Sequence, residues 1–142
     1  MNKVNPDRVI ISGIVAGLVW TLLSSLITAY LSREFVAAVP DHRLSAPPQQ
    51  LVLFLLALNL VMGVWAMWLY AAIRPRYGPG AWTAARTGAA WWIITSLVDN
   101  TWGSFGFVQQ HALLAPMIAS FPALVLAAIA GAALYREPSA SA

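Results

Sequence analysis

Hydrophobic side chains make up 60% of this 142-residue chain and charged ones only 9%, whereas about a quarter of a soluble domain is charged. No water-soluble fold of this length has an interior large enough to hide that much apolar surface. The net charge of +3 is scattered over several connectors, so it forms none of the basic stripes that nucleic-acid binding requires, and with no cysteine there can be no disulfide, thiolate metal centre or cysteine nucleophile.

Four apolar stretches, 9–31, 51–73, 87–107 and 113–135, fill most of the chain and hold one charge between them, Asp99. Each approximates the ~20 residues an α-helix needs to cross a bilayer. The first stretch follows Pro6-Asp7, a helix start with an acid at the positive end of the dipole. It is too long for the apolar region of a cleaved signal peptide, and no A-x-A triplet follows it, so it is expected to be a retained span. Gly13 and Gly17 lie one turn apart on one face and allow close helix approach, more naturally within the chain than between copies.

The longest connector, 32–50, can continue as helix from Ser32 to Val39 until Pro40, Pro47 and Pro48 stop it. The second span, 51–73, ends in Trp65, Trp68 and Tyr70, the residues of a headgroup belt. Arg74-Pro75-Arg76-Tyr77-Gly78-Pro79-Gly80 follows as a turn, with two prolines and two glycines. With Arg86, its arginines either meet lipid headgroups or simply fix orientation. The third span, extended inward to about residue 84, carries Trp91-Trp92 and ends near 107. The fourth, 113–135, has Pro116 in its first turn, Pro122 inside it, and Ala123, Ala127 and Gly131 on a smooth packing face.

Six basic residues (Lys3, Arg8, Arg74, Arg76, Arg86, Arg136) fall on one side of such a bundle and two (Arg33, Arg43) on the other. Basic excess marks the cytoplasmic side. The expected fold is therefore an all-α polytopic membrane protein of a single domain, with four transmembrane helices and both termini cytoplasmic. Residues 32–50 form the outer loop and 74–83 the cytoplasmic loop. Ser12-Gly13 with Trp20-Thr21-Leu22 is echoed by Thr87-Gly88 with Thr95-Ser96-Leu97, and Leu69-Tyr70 by Leu134-Tyr135. The two halves thus suggest two parallel two-helix repeats.

The polar residues within the spans fall at similar depths in the outer half: Ser24, Ser25, Asn59, Asp99, Asn100 and Ser120. An ionised carboxylate in hydrocarbon costs about 2.5–3.5 kcal/mol even on the lenient insertion scale. Three accounts of Asp99 are open. It is an ion or proton site with Asn59, Asn100 and Ser24 or Ser25 as neutral ligands. Alternatively, the layer merely locks helix register. In the third, the span starts near Gly80, Asp99 and Asn100 reach the outer interface, and 101–104 is loop. His42 and His111 lie outside the spans, which argues against intramembrane haem. No nucleotide-binding, protease or hydrolase motif occurs. Neither a cofactor, a metal site nor a catalytic group is expected.

The stretch Leu69-Tyr70-Ala71-Ala72-Ile73-Arg74-Pro75-Arg76-Tyr77-Gly78-Pro79-Gly80 resembles the central loop of small bacterial four-helix membrane proteins of uncharacterised activity. The Gly13–Gly17 pair, the long outer loop and the Gly131-Ala132-Ala133-Leu134-Tyr135 ending are similar as well. More distantly, the third and fourth spans, with Ser96-Leu97 followed by Asn100, resemble a membrane family built on a domain of unknown function. The resemblance implies a bacterial inner-membrane location and carries no activity. Two functions are expected from the residues: a non-catalytic accessory or self-associating bundle, or a small oligomeric transporter or channel that uses Asp99. The expected partners are the lipid bilayer and a second copy or a larger membrane complex.

Overall fold

The computed structural model describes residues 4–38, 49–106 and 110–135. It is all-α: α1 Pro6–Ala38, α2 Gln49–Tyr77, α3 Ala81–Ser104 and α4 Gln110–Leu134, with no strand among the described residues. Three of the helices, α1, α2 and α4, are long and apolar enough to cross a membrane. α3 has the length, 24 residues or about 36 Å. Its threonines, glycines and Asp99-Asn100 make it the more polar helix.

Pro6 occupies the first helical position of α1, where a missing N–H costs nothing. Asn5 Oδ1 accepts the Arg8 N–H at 3.3 Å and caps the end. At the other end α1 continues through 32–38, so the connector to α2 is shorter than 32–50; its centre, with His42 and Arg43, lies outside the described residues.

The connector expected over 74–83 is also shorter. α2 runs through Pro75 to Tyr77, and only Gly78-Pro79-Gly80 separates it from α3. The Gly78 N–H donates to the Arg74 carbonyl at 2.9 Å, so the helix runs on past the proline to Tyr77. Gly78 (φ 82°) and Gly80 (φ 124°) then reverse the chain in a backbone region that disfavours a Cβ. Thr83 Oγ1 donates to the Gly78 carbonyl at 2.7 Å, and the Gly80 N–H donates to the Tyr70 hydroxyl at 3.2 Å. α4 begins three residues earlier than expected, at Gln110, so Pro116 falls inside the helix and not in its first turn.

Consecutive helices run antiparallel. α1 packs along both α2 and α4, and α3 packs along α4, while the α2–α3 edge is far more open. Small residues set the seams. A Cβ on Gly13 would run into the Val64 backbone, and one on Gly17 would come 2.7 Å from the Asn59 carbonyl oxygen and 2.8 Å from Leu60 Cα. Gly63 closes the same α1–α2 seam, since its Cβ would overlap Gly13 and Gly17. Gly88 plays the equivalent part between α3 and α4, against Leu124 and Val125, and Gly131 lets α4 approach Ser12, Ala16 and Met67. Such contact replaces the hydrophobic drive that lipid cannot supply.

Burial is uneven along the bundle. It concentrates at the end holding the Gly78–Gly80 turn: Val9 to Gly17 on α1, Gly63 to Ala71 on α2, Thr83 to Trp91 on α3 and Ala123 to Tyr135 on α4. There Met67 and Leu124 are fully buried, and Tyr70 meets Tyr135 edge-on with centroids 5.8 Å apart. Toward the opposite end the helices part, and nearly every side chain from Gln49 to Leu58 is exposed. Val9, Ser12, Gly13 and Ala16 on α1 are buried in the same register as Ala84, Thr87, Gly88 and Trp91 on α3.

Candidate functional site

The parted end contains the polar residues, and it does not hold them as one layer. Asp99 lines a half-open cleft of about 180 Å³ between α1, α3 and α4. It shares that cleft with Ser24 and Thr28 from α1, Thr95 from its own helix one turn below, and Ser120 from α4. Trp20 forms the floor, its ring set against Trp91 at 6.1 Å.

Asn59 sits on the other side of α1. Its Nδ2 donates to Thr21 Oγ1 at 3.2 Å, tying α2 to α1. Ser25 is exposed and lines the same α1–α2 groove as Asn59, while Ser24 borders both that groove and the Asp99 cleft. Asn100, next to Asp99 in the chain, points elsewhere because consecutive helical residues diverge by about 100°; it lines a groove with His111 and Met117. The structure thus brings Asp99 together with Ser24 and Ser120, and separates it from Asn59, Asn100 and Ser25. Thr28 and Thr95 join it, and the sequence contained the signal: each is four residues from another cleft residue on the same helix, Ser24 and Asp99 respectively.

The hydroxyls of the cleft share one property. Ser24 Oγ donates to the Thr21 carbonyl (3.1 Å), Thr28 Oγ1 to Ser24 (2.9 Å), Thr95 Oγ1 to Trp92 (3.0 Å) and Ser120 Oγ to Met117 (2.8 Å). Each hydroxyl has a carbonyl acceptor on its own helix, an arrangement that turns its lone pairs to the cleft.

The Met117 carbonyl also accepts the Trp92 indole N–H at 2.8 Å. This bond lies one residue before Ile118, whose carbonyl is the one that Pro122, lacking an N–H, leaves without its helical donor. It joins α3 to α4 just below the cleft, and Phe121 stacks edge-on against Trp92 at 5.2 Å.

The arginines at the turn end do not converge on one ligand. Arg74 lies over the Tyr135 ring at 5.5 Å. Arg86 lies over Tyr77 at 4.6 Å and Trp82 at 5.7 Å, and Arg76 lies 6.0 Å from Tyr77. These are cation–π contacts that let charged heads lie along apolar surface.

The chain matches no family model, no curated protein and no solved structure.

Proposed function

We propose that the chain is a non-catalytic integral membrane bundle of four spans that works by association, as a self-associating unit or an accessory subunit of a larger membrane complex. The observation that carries this reading is the open α2–α3 edge. α3 is the most polar of the helices, yet it is covered along α4 and left bare beside α2. Exposed Asn100, Thr101 and Ser104 follow along its far half. A span of this kind is better covered by protein than by lipid, because its polar groups and small residues offer packing and hydrogen bonds that acyl chains cannot match.

In this reading α3 is the third of four spans, both termini and the Gly78–Gly80 turn are cytoplasmic, and the membrane is the bacterial inner membrane. The excess of basic residues near the turn end supports the orientation. The shared burial register of α1 and α3, and the matching seams of Gly13 on Val64 and Gly88 on Val125, support two parallel two-helix repeats. The open α2–α3 edge departs from that symmetry, since it is the counterpart of the well-packed α1–α4 edge.

A transporter or channel reading through Asp99 has the cleft in its favour. Against it stands the buried plug of Met67, Tyr70, Trp91 and Leu124 below, which closes the bundle at the turn end. Native mass spectrometry of the full chain released from mild detergent tests association directly. Dimers, higher oligomers or a retained second subunit are the expected result. A lone monomer at every detergent concentration refutes it.

A further inference from the structure

The polar half of the Asp99 cleft consists of a carboxylate and four hydroxyl oxygens, the other half of apolar and aromatic side chains, and we propose that it is a binding site for a small primary alkylammonium ion. Asp99 supplies a carboxylate, and Ser24, Thr28, Thr95 and Ser120 supply oxygens whose protons are already given to backbone carbonyls. With its hydroxyls donating to backbone carbonyls, the cleft has the Trp20 indole N–H as its remaining side-chain donor. Such a lining rejects anions and neutral acceptors, and it complements a group that is all donor. A primary ammonium is that group: three N–H donors and a positive charge.

The remaining walls select for carbon next to the nitrogen. Ile27, Leu113 and Met117 are apolar, and the Trp20 ring offers a π-face to a cation. An inorganic cation draws nothing from these surfaces and prefers to be surrounded by oxygens. The cleft's volume of about 180 Å³ is room for a short alkyl chain. Among the described residues the arginines Arg8, Arg74, Arg76 and Arg86 belong to the turn end, and His111 lines the neighbouring groove with Asn100, not this cleft. The site does not require transport, and it stands or falls separately from the oligomeric state.

The test is isothermal titration of the purified full chain in lipid nanodiscs with n-butylammonium chloride. Saturable binding at one site per chain is expected, weakened at least tenfold by Asp99→Asn. Thr28→Leu serves as the second variant, because Thr28 is exposed at the cleft mouth and an apolar residue there blocks the cleft without disturbing the core. It too should weaken binding at least tenfold. Tetramethylammonium, which has no N–H, should bind at least tenfold more weakly than n-butylammonium. No saturable heat, undiminished binding in both variants, or equal affinity for tetramethylammonium overturns the proposal. Displacement by sodium at equal concentration overturns the assignment to an amine and gives the cleft to inorganic cations.

Discussion

Gly63→Ala isolates what holds the bundle together. In a free helix the exchange is favourable by about 0.8–1.0 kcal/mol, because alanine loses less backbone entropy. In this structure the new Cβ would overlap the Gly13 carbonyl oxygen and the Gly17 amide nitrogen, and would come 2.7 Å from Gly17 Cα. Carbon pairs rest at about 3.5–4.0 Å, so α1 and α2 must part by roughly 1 Å. The opposing atoms are backbone and cannot rotate away. A gap of that size forfeits about a quarter to a half of each contact along the seam. Overpacking of this kind costs about 1–3 kcal/mol, more when backbone must move. Taking about 3 kcal/mol for the separation and subtracting the helix-propensity gain leaves a net loss of about 2 kcal/mol. Reversible unfolding in mixed micelles, followed by circular dichroism against rising denaturing detergent, measures it. A Gly63→Ala protein as stable as the parent, or more stable, would refute the seam argument outright.

Other substitutions test separate joints. Trp92→Phe keeps the ring against Phe121 but removes the donor to the Met117 carbonyl, and should cost about 0.6–1.7 kcal/mol in the same unfolding assay. Thr83→Val removes the hydroxyl that closes the Gly78–Gly80 turn. A loss of about 1 kcal/mol is expected there, with faster amide exchange at Ala84, whose N–H bonds the Gly80 carbonyl. Because the parent has no cysteine, single introduced thiols report topology without background. Ser104→Cys should react with a membrane-impermeant maleimide added outside intact cells, and Pro79→Cys only after the membrane is opened; the reverse pattern would invert the proposed orientation.

The long helices were legible because a bilayer crossing takes about 20 apolar residues, and α1, α2 and α4 are long and apolar enough to meet that rule. The helix ends were less legible. Pro75 reads as a breaker, yet α2 carries on for another two residues, because a proline interrupts the bond to the residue four back and not the helical backbone angles ahead of it. Gln110-His111 reads as loop because it is polar, although a helix emerging from the apolar zone has no reason to stop at its edge. Pro116 was misplaced for the same reason.

Position along the helix axis says nothing about azimuth, which decides which polar residues meet. Asn59 and Asp99 face different grooves, with α1 between them. Asn100 was separated from Asp99 simply by being its neighbour on a helix. The reading in which α3 starts near Gly80 matched the observed start at Ala81, while its loop at 101–104 is instead the last turn of the helix. Thr28 and Thr95 carry neither a charge nor an amide, so only their spacing from Ser24 and Asp99 marks them as cleft residues. A helical-wheel alignment on Ser24 and Asp99 would have found both.

The gradient of packing along the bundle has a mechanical consequence. Cinched by glycines at one end and parted at the other, a bundle placed across a bilayer as proposed would occupy more area in one leaflet than in the opposite one. Lateral pressure from the acyl chains would therefore act on it unevenly, pressing hardest where few side chains push back. On the proposed membrane reading, the expected consequence is that the composition of the leaflet around the parted end, more than the average properties of the bilayer, sets how wide the Asp99 cleft stands.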